Sequence, residues 1–109
     1  MGTLFYGGVG PGIAFSDRAL HHLQIVITAK LRRSESFVFS WTDKPEAGGG
    51  RSTIWLSPGT LLHYRYLGSR IPVVNRDWVK SLMLSANSPG GLVYSPERGP
   101  VPGVGAASG

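Results

Sequence analysis

Between residues 34 and 67 the chain alternates polar with apolar or aromatic positions in three short runs. They are Ser36-Phe37-Val38-Phe39-Ser40-Trp41-Thr42, Arg51-Ser52-Thr53-Ile54-Trp55-Leu56 and Leu61-Leu62-His63-Tyr64-Arg65-Tyr66-Leu67. Successive side chains of a strand point to opposite faces, so each run predicts a strand with one face in a core. A stretch rich in breakers, residues 43–50, joins the first two runs. The tight Ser57-Pro58-Gly59-Thr60 turn joins the last two, and together they predict a three-strand meander.

Residues 3–6 and 13–15 read as two more short strands, with Gly7-Gly8-Val9-Gly10-Pro11-Gly12 as a glycine-rich hairpin between them. Ser16 suits a helix N-cap and Asp17 its first turn. Leu20, Leu23, Ile27 and Leu31 then recur at helical spacing with Val26 alongside, which predicts one buried face. Arg32 and Arg33 fall in the last turn, where cations complement the dipole. The β-branched run Ile25-Val26-Ile27-Thr28 works against helix by propensity alone.

After the meander Pro72 keeps the chain extended, and Asn75 caps a second helix with Trp78, Val79, Leu82, Met83 and Ala86 on its apolar side. Residues 87–91 end it, and Leu92-Val93-Tyr94 can add a last strand. The expected order is β-β-α-β-β-β-α-β: an α+β fold with a largely antiparallel sheet and both helices packed on one face. Residues 1–94 form the expected single domain. The Pro/Gly/Ala/Ser-rich residues 95–109 hold almost nothing that could join a core and are expected to be a disordered tail.

Composition narrows the class. A chain of 109 residues, 41% hydrophobic and 16% charged, fits one packed domain. Without cysteine there is no disulfide, thiolate zinc site or cysteine nucleophile. No apolar run approaches the ~20 residues of a bilayer span and no leader pattern opens the chain, so the expectation is cytoplasmic with no membrane partner. The net charge is +5, and arginines outnumber lysines eight to three. Arginine suits phosphate and carboxylate, so an anionic partner is conceivable, although Arg32-Arg33 is the one tight basic pair.

The runs Leu20-His21-His22-Leu23-Gln24, Ala29-Lys30-Leu31-Arg32-Arg33, Ser36-Phe37, Phe39-Ser40-Trp41 and Ser85-Ala86-Asn87-Ser88-Pro89-Gly90-Gly91-Leu92 resemble a family of small actinobacterial proteins. That family is a domain of unknown function whose members often carry an automatic ATP-dependent DNA ligase label. The resemblance spans residues 4–93 and brings no catalytic or binding residues with it.

The residues do not support ligase chemistry. Nucleotidyl transfer needs a lysine nucleophile in a K-x-D-G setting, and Lys44-Pro45-Glu46-Ala47, the nearest approach, lacks both Asp and Gly. The spacing of Gly8, Gly10 and Gly12 is G-x-G-x-G, and a strand follows where a pyrophosphate site needs a helix N-terminus. Gly48-Gly49-Gly50-Arg51-Ser52 has no Walker lysine. His21 and His22 diverge by about 100° on a helix and His63 stands elsewhere, so no metal or other cofactor is expected. No serine lies in a nucleophile elbow, and no catalytic residue can be named.

What remains are two surfaces. If Ile54, Leu56, Leu62 and Tyr64 face the core, then Thr53, Trp55, His63 and Arg65 share the outer sheet face, where an indole beside cations can stack on bases. The plainer reading is cross-strand packing that stabilises the sheet. The outer face of the first helix carries Arg18, His21, Ile25 and Arg32, with an exposed Ile25 as a possible partner or homodimer contact or merely a stray apolar residue. Open strand edges offer a second protein-binding route. The expectation is a small non-catalytic binding domain. Its partner is nucleic acid or, alternatively, a protein or a second copy; an enzyme of unidentified class comes third.

Overall fold

The first strand, β1 (Gly2–Tyr6), buries Leu4 and turns Phe5 to the other side, as alternation requires. A computed structural model describes residues 1–8, 10–43 and 45–98 of the chain. Beyond β1 the chain reverses through the left-handed positions Gly7 and Gly8. It returns antiparallel as β2 (Ile13–Phe15), with Gly2 opposite Phe15 and Leu4 opposite Ile13.

Helix α1 (Asp17–Arg32) starts where expected, Ser16 Oγ accepting the Ala19 N–H at 3.1 Å. Leu20, Leu23, Val26 and Ile27 are fully buried, which explains why the β-branched run stays helical: burial of Val26 and Ile27 outweighs a propensity cost of tenths of a kcal/mol per residue. Strands β3 (Phe37–Thr42) and β4 (Arg51–Leu56) pair antiparallel, Phe39 opposite Ile54. Between them lies a short 3-10 turn, Pro45–Ala47. Strand β5 (Leu62–Arg65), helix α2 (Arg76–Ala86) and the two-residue β6 (Leu92–Val93) complete the expected order.

The fold is α+β, but its strands form two sheets, β2-β1-β5 and β4-β3-β6, rather than one. The expected meander is therefore broken after β4. Strand β5 pairs with β1, Leu4 opposite Tyr64, and the Gly7 N–H fixes its start by donating to the Leu61 carbonyl. The Ser57–Thr60 turn closes on itself through the Thr60 N–H to Ser57 carbonyl bond, and then hands the chain to the other sheet. On the far side of β3 the neighbour is β6, the one parallel pairing among the described residues. Tyr6 spans the gap, its hydroxyl donating to the Trp55 carbonyl at 2.8 Å.

Helix α1 lies against β1 and β2, α2 lies against β6, and the helices pack on each other. Phe15, Phe37, Phe39, Leu56, Trp78 and Leu82 join the α1 stripe in one core. Of the stretch expected as a tail, residues 95–98 are described. Ser95 accepts the Trp78 indole N–H at 2.9 Å, and Glu97 binds Arg18 and Asn75. Residues 99–109 and Lys44 of the ligase comparison lie outside the described residues.

Candidate functional site

Alternation places Thr53 and Trp55 outward on β4, and His63 and Arg65 outward on β5, all exposed. The division between two sheets separates them into pairs. Thr53 sits opposite Ser40, their hydroxyls 2.8 Å apart, and Trp55 opposite Val38. His63 sits opposite Phe5 and Arg65 opposite Thr3. Trp55 and Arg65 are thus not cross-strand neighbours, although both belong to outward faces.

His63 and Arg65 border one hollow, whereas Trp55 and Thr53 border two different ones. A groove of about 410 Å³ is lined by Phe5, Leu61, His63 and Arg65, with Gly8 and Gly10 of the hairpin turn as its lip. The Phe5 and His63 rings lie 5.3 Å apart at 31°, an offset aromatic step beside the Arg65 cation. A Cβ on Gly8 would come within 2.9 Å of Leu61 Cδ2, and its φ of +77° already favours glycine, so this lip needs that residue. Phe5 is the residue that sequence reasoning missed. The signal was present: with Leu4 inward, Phe5 must face the side that His63 faces.

Trp55, 55% exposed, borders a second groove of about 450 Å³ whose lining includes Lys30 and Asn87. Lys30 is buried there. Its ammonium donates to Asn87 Oδ1 at 2.8 Å, lies 2.7 Å from Glu35 Oε1 and stands 5.8 Å from the Phe37 ring centre. That ion pair, helped by Arg33, holds the Glu35 carboxyl below its usual range. The groove therefore offers an indole wall and a neutralised cation.

On α1 the expected outer surface is largely engaged. Arg18 grips both oxygens of Glu97, at 2.9 and 2.7 Å, and donates to the Val73 carbonyl at 2.7 Å. This pairing, with the Asn75 amide, lowers the Glu97 carboxyl to about 2. His21 is half-buried, edge-on to Tyr66, and Ile25 is half-buried rather than exposed. Arg32 alone of the four is exposed. The edge of β6 is also covered, because Ser85 Oγ accepts the Val93 N–H and donates to the Gly91 carbonyl.

The polar group least visible in the sequence is His22, fully buried between α1 and the start of α2. Burial pushes its imidazole pKa down. Among the described residues no group of three or more His, Asp or Glu side chains is placed to hold a metal ion, and no helix is long and apolar enough to cross a membrane.

Among the described residues, two three-stranded sheets and two helices define a small α+β domain. The chain belongs to the family described as Domain of unknown function (DUF7882), whose model matches residues 1–97. No curated protein matches the chain, and no solved structure does. The family match ends at Glu97, the residue whose carboxylate ties the C-terminal segment to α1.

Proposed function

We propose that this domain works by binding and that it takes single-stranded nucleic acid on its outward sheet faces. The observation that carries this reading is the Phe5–His63 ring step beside Arg65 in an open groove. A base stacks on the rings, sequence-tolerantly, and Arg65 meets a phosphate. Trp55 with Thr53 is a second platform on the other sheet, for a nucleotide further along the strand. The net charge of +5 supports association with a polyanion.

The test is a titration with a labelled single-stranded oligonucleotide at several salt concentrations. Phe5→Ala and Trp55→Ala are each expected to weaken binding by about 1–3 kcal/mol, the range for loss of a base–aromatic stack. Arg65→Ala is expected to lower the salt dependence by about one phosphate contact. Absence of binding at low salt, or binding indifferent to both aromatic variants, makes these faces structural.

A protein partner is the second reading. Leu67, Ile71 and Val73 are 79%, 76% and 67% exposed within one irregular segment, and large apolar side chains clustered on a surface mark interaction sites.

A further inference from the structure

The His22 ring is fully buried, and backbone groups engage both of its nitrogens. Nδ1 lies 2.7 Å from the Arg18 carbonyl oxygen, one helical turn back. Nε2 accepts the Asn75 N–H at 2.8 Å. A carbonyl can only accept and an N–H can only donate, so the ring proton sits on Nδ1 and the imidazole is neutral. Asn75 is also the N-cap of α2, its side chain accepting the Asp77 and Trp78 N–H groups. The ring stacks on Trp78 with 4.6 Å between centres. One imidazole thus fastens the start of α2 to α1.

A second proton would go onto Nε2, where it would face the Asn75 N–H, donor against donor. Arg18 and His21 on α1 both oppose the added charge, and Glu97 favours it. From α2 the ring meets uncharged Trp78, while Asp77 is exposed. Glu97 cannot serve as an acceptor without loosening what it already holds, because its oxygens receive Arg18 and the Asn75 amide. The protonated ring therefore does not fit the docked arrangement.

We infer that His22 is a proton-operated clasp: neutral, it helps dock residues 73–75 and the first turn of α2 onto α1, and protonated, it lets go of the Asn75 N–H and loosens them. Release acts on one end only of the exposed Leu67–Val74 segment. The other end is held by Asp17, whose carboxylate accepts the Leu67 and Gly68 N–H groups at 3.1 and 2.8 Å. Those two bonds, Gly68 first, keep the Asp17 carboxyl ionised below its ordinary range, so mild acid leaves that end in place. Acid thus leaves the Asp17 end intact and weakens the other end, where the Arg18 bond to the Val73 carbonyl and the Glu97 bond to the Asn75 amide remain once the ring has let go of the Asn75 N–H.

The direction follows from proton linkage. An imidazole kept neutral by the fold takes up a proton more readily once released, so docking is fully supported above the ordinary imidazole range of about 6.5 and weakens as pH falls below it. Amide hydrogen exchange on the full chain, corrected for the intrinsic pH dependence of exchange, tests this alongside an NMR titration of the His22 ring. Between pH 7.5 and 5 the Asn75 amide is expected to lose about tenfold or more of its protection while Ile27 in the α1 core keeps its own. Ring protonation and Asn75 opening should follow one curve.

His22→Gln can donate to the Arg18 carbonyl and accept from Asn75 without titrating, so its Asn75 protection should not respond to pH. His21→Gln and His63→Gln should behave as the unaltered protein. A ring still neutral with Asn75 still protected at pH 5, protonation without Asn75 opening, or the same response in a folded His22→Gln chain each overturns the inference. If His22→Gln does not fold, the two curves of the unaltered protein decide.

Discussion

Lys30 and Glu97 show what a single charged side chain does here. Lys30 falls on the helix stripe side that packs inward, so its stem is buried and its ammonium reaches Asn87 and Glu35. Glu97 lies in a stretch whose composition suggests no structure, yet its carboxylate accepts three hydrogen bonds, two from Arg18 and one from Asn75. Its carboxyl, lowered to about 2 in the folded chain from a usual 4.5, contributes stability that is present above pH 4.5 and lost as pH falls toward 2. Glu97→Gln is expected to cost about 1–3 kcal/mol at neutral pH, as for loss of charged hydrogen bonds. It should also flatten the acid limb of a denaturation series between pH 4.5 and 2. A variant with an unchanged acid limb would show that the ion pair adds nothing. Deep in the core, Phe39 is fully buried against Phe15 and Trp41, and Phe39→Ala is expected to cost about 3–5 kcal/mol by urea unfolding.

At the scale of elements, helices were legible because caps and stripe agree: Ser16 and Asn75 cap as expected, and the inward faces of α1 and α2 are those the spacing predicts. Strand faces were legible for the same reason, since alternation needs only local sequence. Strand partners were not. Strand β6 is two residues long, and its parallel pairing with β3 depends on Gly91, whose φ is +80° and which lies against Val38. A Cβ there would stand 2.4 Å from Val38 Cγ2 and 2.5 Å from the Val38 carbonyl oxygen. Gly91→Ala is therefore expected to lose about 1–3 kcal/mol from the left-handed backbone alone, and more from the clash. Exchange at the Tyr94 amide, which donates to the Ser40 carbonyl, should rise in that variant if β6 has detached.

For the whole molecule the question is where the folded unit ends. A chain stopped after Tyr94 lacks both the carbonyl that receives the Trp78 indole and the Glu97 carboxylate, whereas one stopped after Arg98 keeps both. The longer chain is expected to melt within a degree or two of the full one. The shorter should melt lower by about 4–8 °C for each kcal/mol lost, the usual scale for a domain of this size. Equal melting of the two would place the boundary at Tyr94.

The local pattern alone determined the α+β class, the order of strands and helices, and which side of each element is buried, because period, capping and turn chemistry act over a few residues. Tertiary structure alone decided that β5 leaves β4 for β1, and with it that Arg65 has Phe5 rather than Trp55 as company on its sheet. The same holds for His22, which looks like one of two adjacent surface histidines and becomes a buried hinge point once Asn75, fifty-three residues on, meets its ring. Pairings of that reach depend on which surfaces close over the core together, and no short window of sequence carries that information.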